Sequence, residues 1–374
     1  MKFTINRKYL SDKLTIVSRA ISLYSPLPAL AGICIEVKKD QIILTGSDST
    51  ISIQSTILPD EKNQLIIETE GSIIVESKYL LEIVRKMDFD TIYFELVDTT
   101  LLRISNQLGV FHLNGIESFT YPDLDFYKPK NHFVLSKKNL EEIYNQTAFA
   151  CSEKDNRPVL TGINFRAAGS TLFCSATDTY RLARKQIHLN ESRDFNITIS
   201  QKALNDVVRS FEESETNDVD IYVDNKKIQF YFDGTLYQSN LLDGLFPDVE
   251  RIIPQEFISF YQSDAQELVR AIDRTNFIRK DKVHLVRLEC STKEIRLKTR
   301  SSEIGDSDEV LSSALYTGEE LAVTCNGKFM TDAIKALGGE RVEIDFTGVL
   351  KPFRLTNPAD DSALMVVVPV RSVD

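Results

Sequence analysis

The sequence predicts an α+β protein of three tandem similar domains, each with two helices packed on antiparallel sheets. Three observations carry this. One order of features recurs three times, matching points fall about 125 to 130 residues apart, which is the size of an ordinary domain, and the 374 residues exceed what a single core accommodates.

Each unit opens with a short strand running into an amphipathic helix: FTINRKYLSDKLTIVSRAI from Phe3, FVLSKKNLEEIYNQTAFAC from Phe133 and FISFYQSDAQELVRAIDRTN from Phe257. Two alternating runs joined by a short polar or glycine-containing turn follow, as in LAGICIEVKKDQIILTGSD, LTGINFRAAGSTLFCSATD and HLVRLECSTKEIRLKTRSS. That is a hairpin signature. A second strand and helix come next, from Ser72, Asn196 and Leu321, and then two more strands. The first two units close with TYPDLD and LFPDVE, where proline cannot continue a central strand. Domains are therefore expected at 1–126, 127–252 and 253–374.

Composition narrows the function. Hydrophobic residues make up 42% and charged residues 26%, and no apolar run approaches the roughly 20 residues that span a bilayer. The start MKFTINRKYL lacks the apolar stretch of a signal peptide, and five scattered cysteines form no Cys-x-x-Cys pair. A cytoplasmic protein is expected. Cys34, Cys174, Cys290 and Cys325 lie in apolar runs, as small core residues do. No metal site or cofactor is expected from them.

Charge is segregated. Six windows over the predicted helices sum to +8, whereas the whole chain carries a formal −11, leaving −19 elsewhere. Positive helices on one surface could engage phosphates while an acidic exterior limits unspecific adhesion. Lysine and arginine are equally common on solvated helix faces, so charge alone leaves both readings open.

The stretch ATDTYRLAR at 176–184 is the most informative. Its counterpart in the first unit is GSDSTISIQ, and the third unit reads SSEIGDSDE there. Asp48 and Asp178 coincide, so Asp178 serves a shared turn. Tyr180, Arg181 and Leu182 are peculiar to the second unit. A feature that sister repeats do without is not demanded by the fold, which favours a functional role.

MKFTINRKYL, LTGINF, ATDTYRLA, LDGLFPD and VVVPVR together resemble the bacterial DNA polymerase III beta subunit, the sliding clamp, along the whole chain and in order. The resemblance implies the DNA clamp fold. Two chains would close head to tail into a ring of six domains, with helices around a hole that passes duplex DNA. It implies no enzymatic activity, no cofactor and no membrane, but a processivity factor. The expected partners are duplex DNA, a second copy in a homodimer, the DNA polymerase III alpha subunit, the clamp loader and other proteins with a clamp-binding motif. The partner-peptide pocket it implies uses Thr177, Thr179, Tyr180, Arg181, Leu182, Pro247, Arg251, Ile252, Pro352, Val366, Val367, Val368, Pro369, Val370 and Arg371. Leu182, Ile252 and Val367 are expected as its apolar floor, with Arg181 bracing the rim.

DNA contact is expected from Lys154 and Arg157 in a loop and from the helix cations Arg7, Lys8, Lys78, Arg85, Lys202 and Arg209. At the dimer interface Phe111 and Leu113 would meet Phe277 and Ile278. The chain departs from the family pattern at Thr179-Tyr180, where Gly-His is frequent, at Val368 and Val370, where methionine is, and at Tyr24, where some clamps place a DNA-contacting arginine. The tail runs on through Ser372, Val373 and Asp374.

An enzyme reading finds no support in sequence motifs. There is no Walker loop, no Gly-x-Gly-x-x-Gly, no His-Glu-x-x-His and no Gly-x-Ser-x-Gly elbow, and the four histidines are isolated. The competing non-enzymatic reading is a multi-domain protein-binding scaffold that does not encircle DNA.

Overall fold

The computed structural model describes residues 1–22, 25–154, 156–213, 216–278 and 283–371. Tyr24 and the tail residues Ser372, Val373 and Asp374 lie outside them. Six helices stand at the expected places: α1 (Arg7–Ser18), α2 (Ser77–Lys86), α3 (Lys137–Thr147), α4 (Gln201–Val208), α5 (Ala265–Arg274) and α6 (Gly327–Leu337). Each follows directly from a strand, because a polar residue at the boundary can stop the ladder and start the helix. Asn6, Asp264 and Asn326 do this with side chains that accept from Tyr9, Glu267 and Lys328 backbone N–H groups.

Two compact units form, one from Met1–Lys138 with Lys202–Leu241 and one from Asn139–Gln201 with Leu242 onward. Both cut through the second repeat. The reason is strand pairing across repeats, which the repeat pattern by itself does not reveal.

In the first unit, Ile51–Ile57 of repeat one pairs antiparallel with Thr235–Asn240 of repeat two, with Ile51 opposite Ser239 and Ser55 opposite Thr235. This ladder joins the two repeats into one 13-stranded sheet. Helices α1 and α2 bury Leu10, Leu14, Val17, Leu80 and Val84 against it. Phe3 and Phe94 stack beneath them at 4.8 Å.

The second unit repeats the device. Arg181–Ser200 of repeat two pairs with Asp360–Val367 of repeat three, with Arg181 opposite Val367 and Lys185 opposite Ala363. A seven-stranded sheet results, beside a four-stranded one. Gly162–Thr177 and Arg181–Ser200 are longer than any strand expected from the sequence, because the ladder carries through a register shift near Gly169. Gly169 adopts φ 64°, open to glycine without strain. Leu268 and Ile272 of α5 and Met330 and Ile334 of α6 close this core with Phe346 and Phe353.

Candidate functional site

The turn at Asp178 is built from the same bonds as its counterpart in repeat one. Asp178 Oδ1 accepts from the Tyr180 and Arg181 N–H groups at 2.9 and 3.0 Å, as Asp48 Oδ1 accepts from Thr50 and Ile51 at 3.0 and 2.8 Å. Thr177 Oγ1 accepts from Thr179 N and donates to the Arg181 carbonyl, and Ser47 Oγ does the same with Ser49 and Ile51. Both turns force a non-glycine residue into the left-handed region, Ser49 at φ 74° and Thr179 at φ 79°. The turn is scaffold; only its side chains differ between repeats.

Those side chains go three ways. Tyr180 is 63% exposed, while its carbonyl accepts from Val368 N at 2.9 Å. Arg181 turns inward: Nε donates to Asp178 at 2.9 Å, Nη1 to Asp332 of α6 at 2.7 Å, and the guanidinium lies 4.4 Å from the Phe329 ring centre and 5.4 Å from that of Phe149. It therefore ties the turn to α6 and does not brace the pocket rim. Leu182 packs in a buried cluster with Val249, Ile253 and Val366, flanked by Phe246 and Leu364.

This cluster corrects the expected floor. Leu182 stands opposite Val366, so those two share a face, whereas Val367 stands opposite Arg181 and Phe353 and is fully buried on the other side. Strand alternation decides it. Val366, together with Val249 and Ile253, occupies the place given to Val367.

The segment after the FPD turn is a short 3₁₀ helix, Val249–Arg251, that sets Val249 and Ile253 four residues apart on one face. Glu250 pins it to the hairpin through Arg166 at 2.9 Å and Arg184 at 2.8 Å. Ile252 is 42% exposed beside the cluster, Pro247 is half-buried, and Arg251 pairs outward with Asp248 at 2.9 Å. The chain end adds half-buried Val368 and Pro369 and exposed Val370 and Arg371, with Val370 N donating to Thr324 O at 2.8 Å. Pro352 is half-buried and accepts from Thr347. Asp332, Phe329, Val249 and Ile253 were missed. The four-residue spacing in VERII could have shown the last two; nothing local in sequence links Arg181 to Asp332.

The basic residues fall into two settings. Arg7, Lys8, Lys78 and Arg85 lie along α1 and α2, where Arg85 donates to Thr15 at 2.9 Å and Lys78 and Arg85 line a cleft of about 520 Å³. Lys202 is 53% exposed but bound to Asp48 at 2.9 Å, and Arg209 is exposed on the turn after α4. Lys154 and Arg157 are exposed in the second unit. Phe111 and Phe277 are 42% and 62% exposed and Leu113 is half-buried, but Ile278 is 3% exposed and offers almost no surface to a second copy.

Burial pushes the Cys151, Cys290 and Cys325 thiols up to about 12. A thiol held protonated is a poor nucleophile. Among the described residues no helix is long and apolar enough to cross a membrane.

Comparison with known proteins covers the whole chain. Profiles of the DNA polymerase III beta subunit match its N-terminal domain at residues 1–125, its central domain at 134–248 and its C-terminal domain at 250–371. The beta sliding clamp of Bacillus subtilis (strain 168) is 33% identical over 378 residues, covering all of both chains. A crystal structure of the DNA polymerase sliding clamp from Bacillus subtilis superposes with a TM-score of 0.94 at 33% identity, covering 100% of this chain and 99% of that one. That of a DNA polymerase III beta chain from Streptococcus pneumoniae gives 0.94 at 28% identity, over 99% and 100%. A repeat pattern, a strand order and a sequence likeness that each run from end to end have one common source: the chain belongs to the family of the bacterial DNA polymerase III beta subunit, the beta sliding clamp.

Proposed function

We propose that two copies of this chain close head to tail around duplex DNA, and that the Leu182 cluster holds the peptides by which other replication proteins attach. As a member of its family the chain is a sliding clamp, a non-catalytic processivity factor of DNA replication. The finer reading divides it at 1–126, 127–252 and 253–374 and places it in the cytoplasm.

One observation carries the closure. Repeat one meets repeat two, and repeat two meets repeat three, through a strand after the shared turn pairing with the last strand of the next repeat. Two strand edges of the same kind stay open among the described residues: 110–114, the last strand of repeat one, and Gly305–Val310 of repeat three. An open edge has unpaired N–H and C=O groups and seeks a partner. A second copy supplies both, and two copies supply each other. Phe111 and Phe277 are the exposed aromatics of this proposed contact.

The peptide reading rests on the buried cluster of Leu182, Val249, Ile253 and Val366, with Tyr180 and Ile252, its neighbours in sequence, exposed and Val370 exposed at the chain end. Burying a leucine or phenylalanine anchor there contributes about 1.5 to 3 kcal/mol, and after ordering costs affinity stays near the micromolar range, about 8 kcal/mol. That suits partners that exchange. The DNA polymerase III alpha subunit and the clamp loader are the partners proposed. DNA contact is assigned to Arg7, Lys8, Lys78, Arg85, Lys154, Arg157, Lys202 and Arg209.

Sedimentation of the full chain at micromolar concentration tests the closure. A dimer is expected, and the double substitution Phe111→Asp with Phe277→Ala should give a folded monomer. A wild-type monomer would overturn it.

A further inference from the structure

The two junctions inside the chain fix the register of a third. In every repeat the residue before the second helix is a common anchor: Glu76, Ser200 and Asn326. Counting strand partners from it makes Thr45 and Lys298 equivalent, and Ser175 holds the same place, three residues before the turn residue Asp178 as Thr45 is before Asp48; Thr45, Ser175 and Lys298 pair with Gln54, Arg184 and Asp308. In the last hairpins Ser105, Tyr231 and Thr356 are equivalent by their partners Tyr93, Asp220 and Glu343, and they pair onward with Val110, Leu236 and Leu364. Within the chain Leu236 stands opposite Gln54 and Leu364 opposite Arg184. By the same rule Val110 of one copy stands opposite Asp308 of another, and two residues along, His112 stands opposite Asp306.

That last pair position differs in chemistry at each junction. It is Ser52 with Gln238 between repeats one and two, and Leu182 with Val366, the pocket floor, between repeats two and three. We infer that at the chain-to-chain junction it is an ion pair between His112 and Asp306, which makes ring closure tighter in mild acid. This rests on the head-to-tail reading above.

The surroundings of His112 are mixed in charge. It lies on the face away from the buried row of Phe3, Phe94 and Ile104, which the helices cover. Directly across on the neighbouring strand is Arg103, which is committed to Glu95 at 2.9 Å, and Lys2 lies beyond Glu95 and pairs with Glu68 at 2.6 Å. On the same strand its face neighbours are Val110 and Asn114, both uncharged. From the second copy it would meet Asp306, whose own cross-strand neighbour is Arg300, and diagonally Asp308, already held by Arg296 at 2.7 Å and Lys298 at 3.6 Å. Asp306 is exposed and is the acid on that edge with no cation within ion-pair distance among the described residues.

The sign follows from which form the acidic strand favours. Association stabilises the imidazolium, so the gain is present below the histidine range and is lost as pH rises through it. A cross-strand opposite-charge pair is worth about a 1.4- to fivefold change in equilibrium, and a ring has two such junctions, so dimer dissociation should tighten about 2- to 25-fold between about pH 8 and about pH 6.

Sedimentation or subunit-exchange measurements on the full chain across that range test it, with His112→Gln, Asp306→Asn and the double variant. Asp206, whose carboxyl is pushed up to about 6 by burial, titrates in the same window in every variant and so cancels in the comparison. Each single substitution is expected to remove the pH-dependent increment, and the double to do no more than either. A wild-type dimer whose affinity ignores pH, or single effects that simply add, would overturn the pair while leaving head-to-tail closure standing. A monomer at every pH would overturn closure itself and the pair with it. As an independent check of register, His112→Cys with Asp306→Cys should cross-link copies on mild oxidation, whereas Phe111→Cys with Asp306→Cys, on opposite faces, should not. Four of the five native cysteines are buried, so the background is low. Equal cross-linking by both pairs would overturn the register.

Discussion

Thr179 is a residue where local chemistry and conformation disagree. A β-branched side chain at φ 79° is strained by roughly 1 to 3 kcal/mol, of which glycine's extra unfolded entropy would return about 0.5 to 1. Thr179→Gly is therefore expected to raise the stability of its unit by about 1 kcal/mol, read as a higher melting temperature; a lower one would show that the turn needs the side chain. Asp206 presents a second conflict. Its Oδ2 is buried without a hydrogen-bond partner among the described residues, and burial raises its pKa to about 6 despite Lys202, Arg19 and Arg209 nearby. A raised acid contributes stability in its protonated form, fully present below the unfolded value near 4 and lost as pH rises through about 6. Asp206→Asn should add about 1 to 3 kcal/mol at pH 7 and flatten the change in melting temperature between pH 4 and pH 7. An unchanged slope would contradict the assignment.

At the scale of elements, the last strand separates structural from binding roles. Val367 is fully buried and paired on both sides, so a truncation that removes it damages the core, while Val368 onward is half-buried or exposed and held by two backbone hydrogen bonds, from Val368 N to Tyr180 O and from Val370 N to Thr324 O, beside the proposed pocket. Deleting residues 368–374 should leave a folded dimer and weaken a leucine- and phenylalanine-bearing peptide at least tenfold, about 1.4 kcal/mol, in a fluorescence titration run beside thermal melts. Undiminished binding would remove the pocket from this face. The helices, the hairpins of the first and third units and the turn at Asp178 were legible in sequence because periodicity and repeat comparison are local signals, whereas the hairpin expected in the second unit is one strand, Gly162–Thr177. The units were not: they are set by ladders such as Arg181–Val367 that join positions far apart in the chain, and no spacing encodes which strand of one repeat seeks which of the next. Arg181 shows the same limit, since a guanidinium beside a groove reads as rim until Asp332, 151 residues away, is seen to hold it. Ile278 looked like an interface residue because core and interface use the same side chains.

For the whole molecule, a net charge of −11 gives the chain no overall attraction to a polyanion, so the proposed ring would hold DNA mainly by encircling it. Neutralising Lys154 and Arg157 together should lower retention on DNA modestly and flatten its salt dependence by up to about one unit of log–log slope per lost phosphate contact, with no change in sequence preference. Retention measured across a salt series checks this, and an unchanged slope would leave both residues as solvated loop charges. Topology supplies the decisive comparison. Protein loaded by a clamp loader onto a nicked circular plasmid should co-elute with it through gel filtration in high salt and dissociate once the plasmid is linearised; equal loss from circle and line would contradict encirclement.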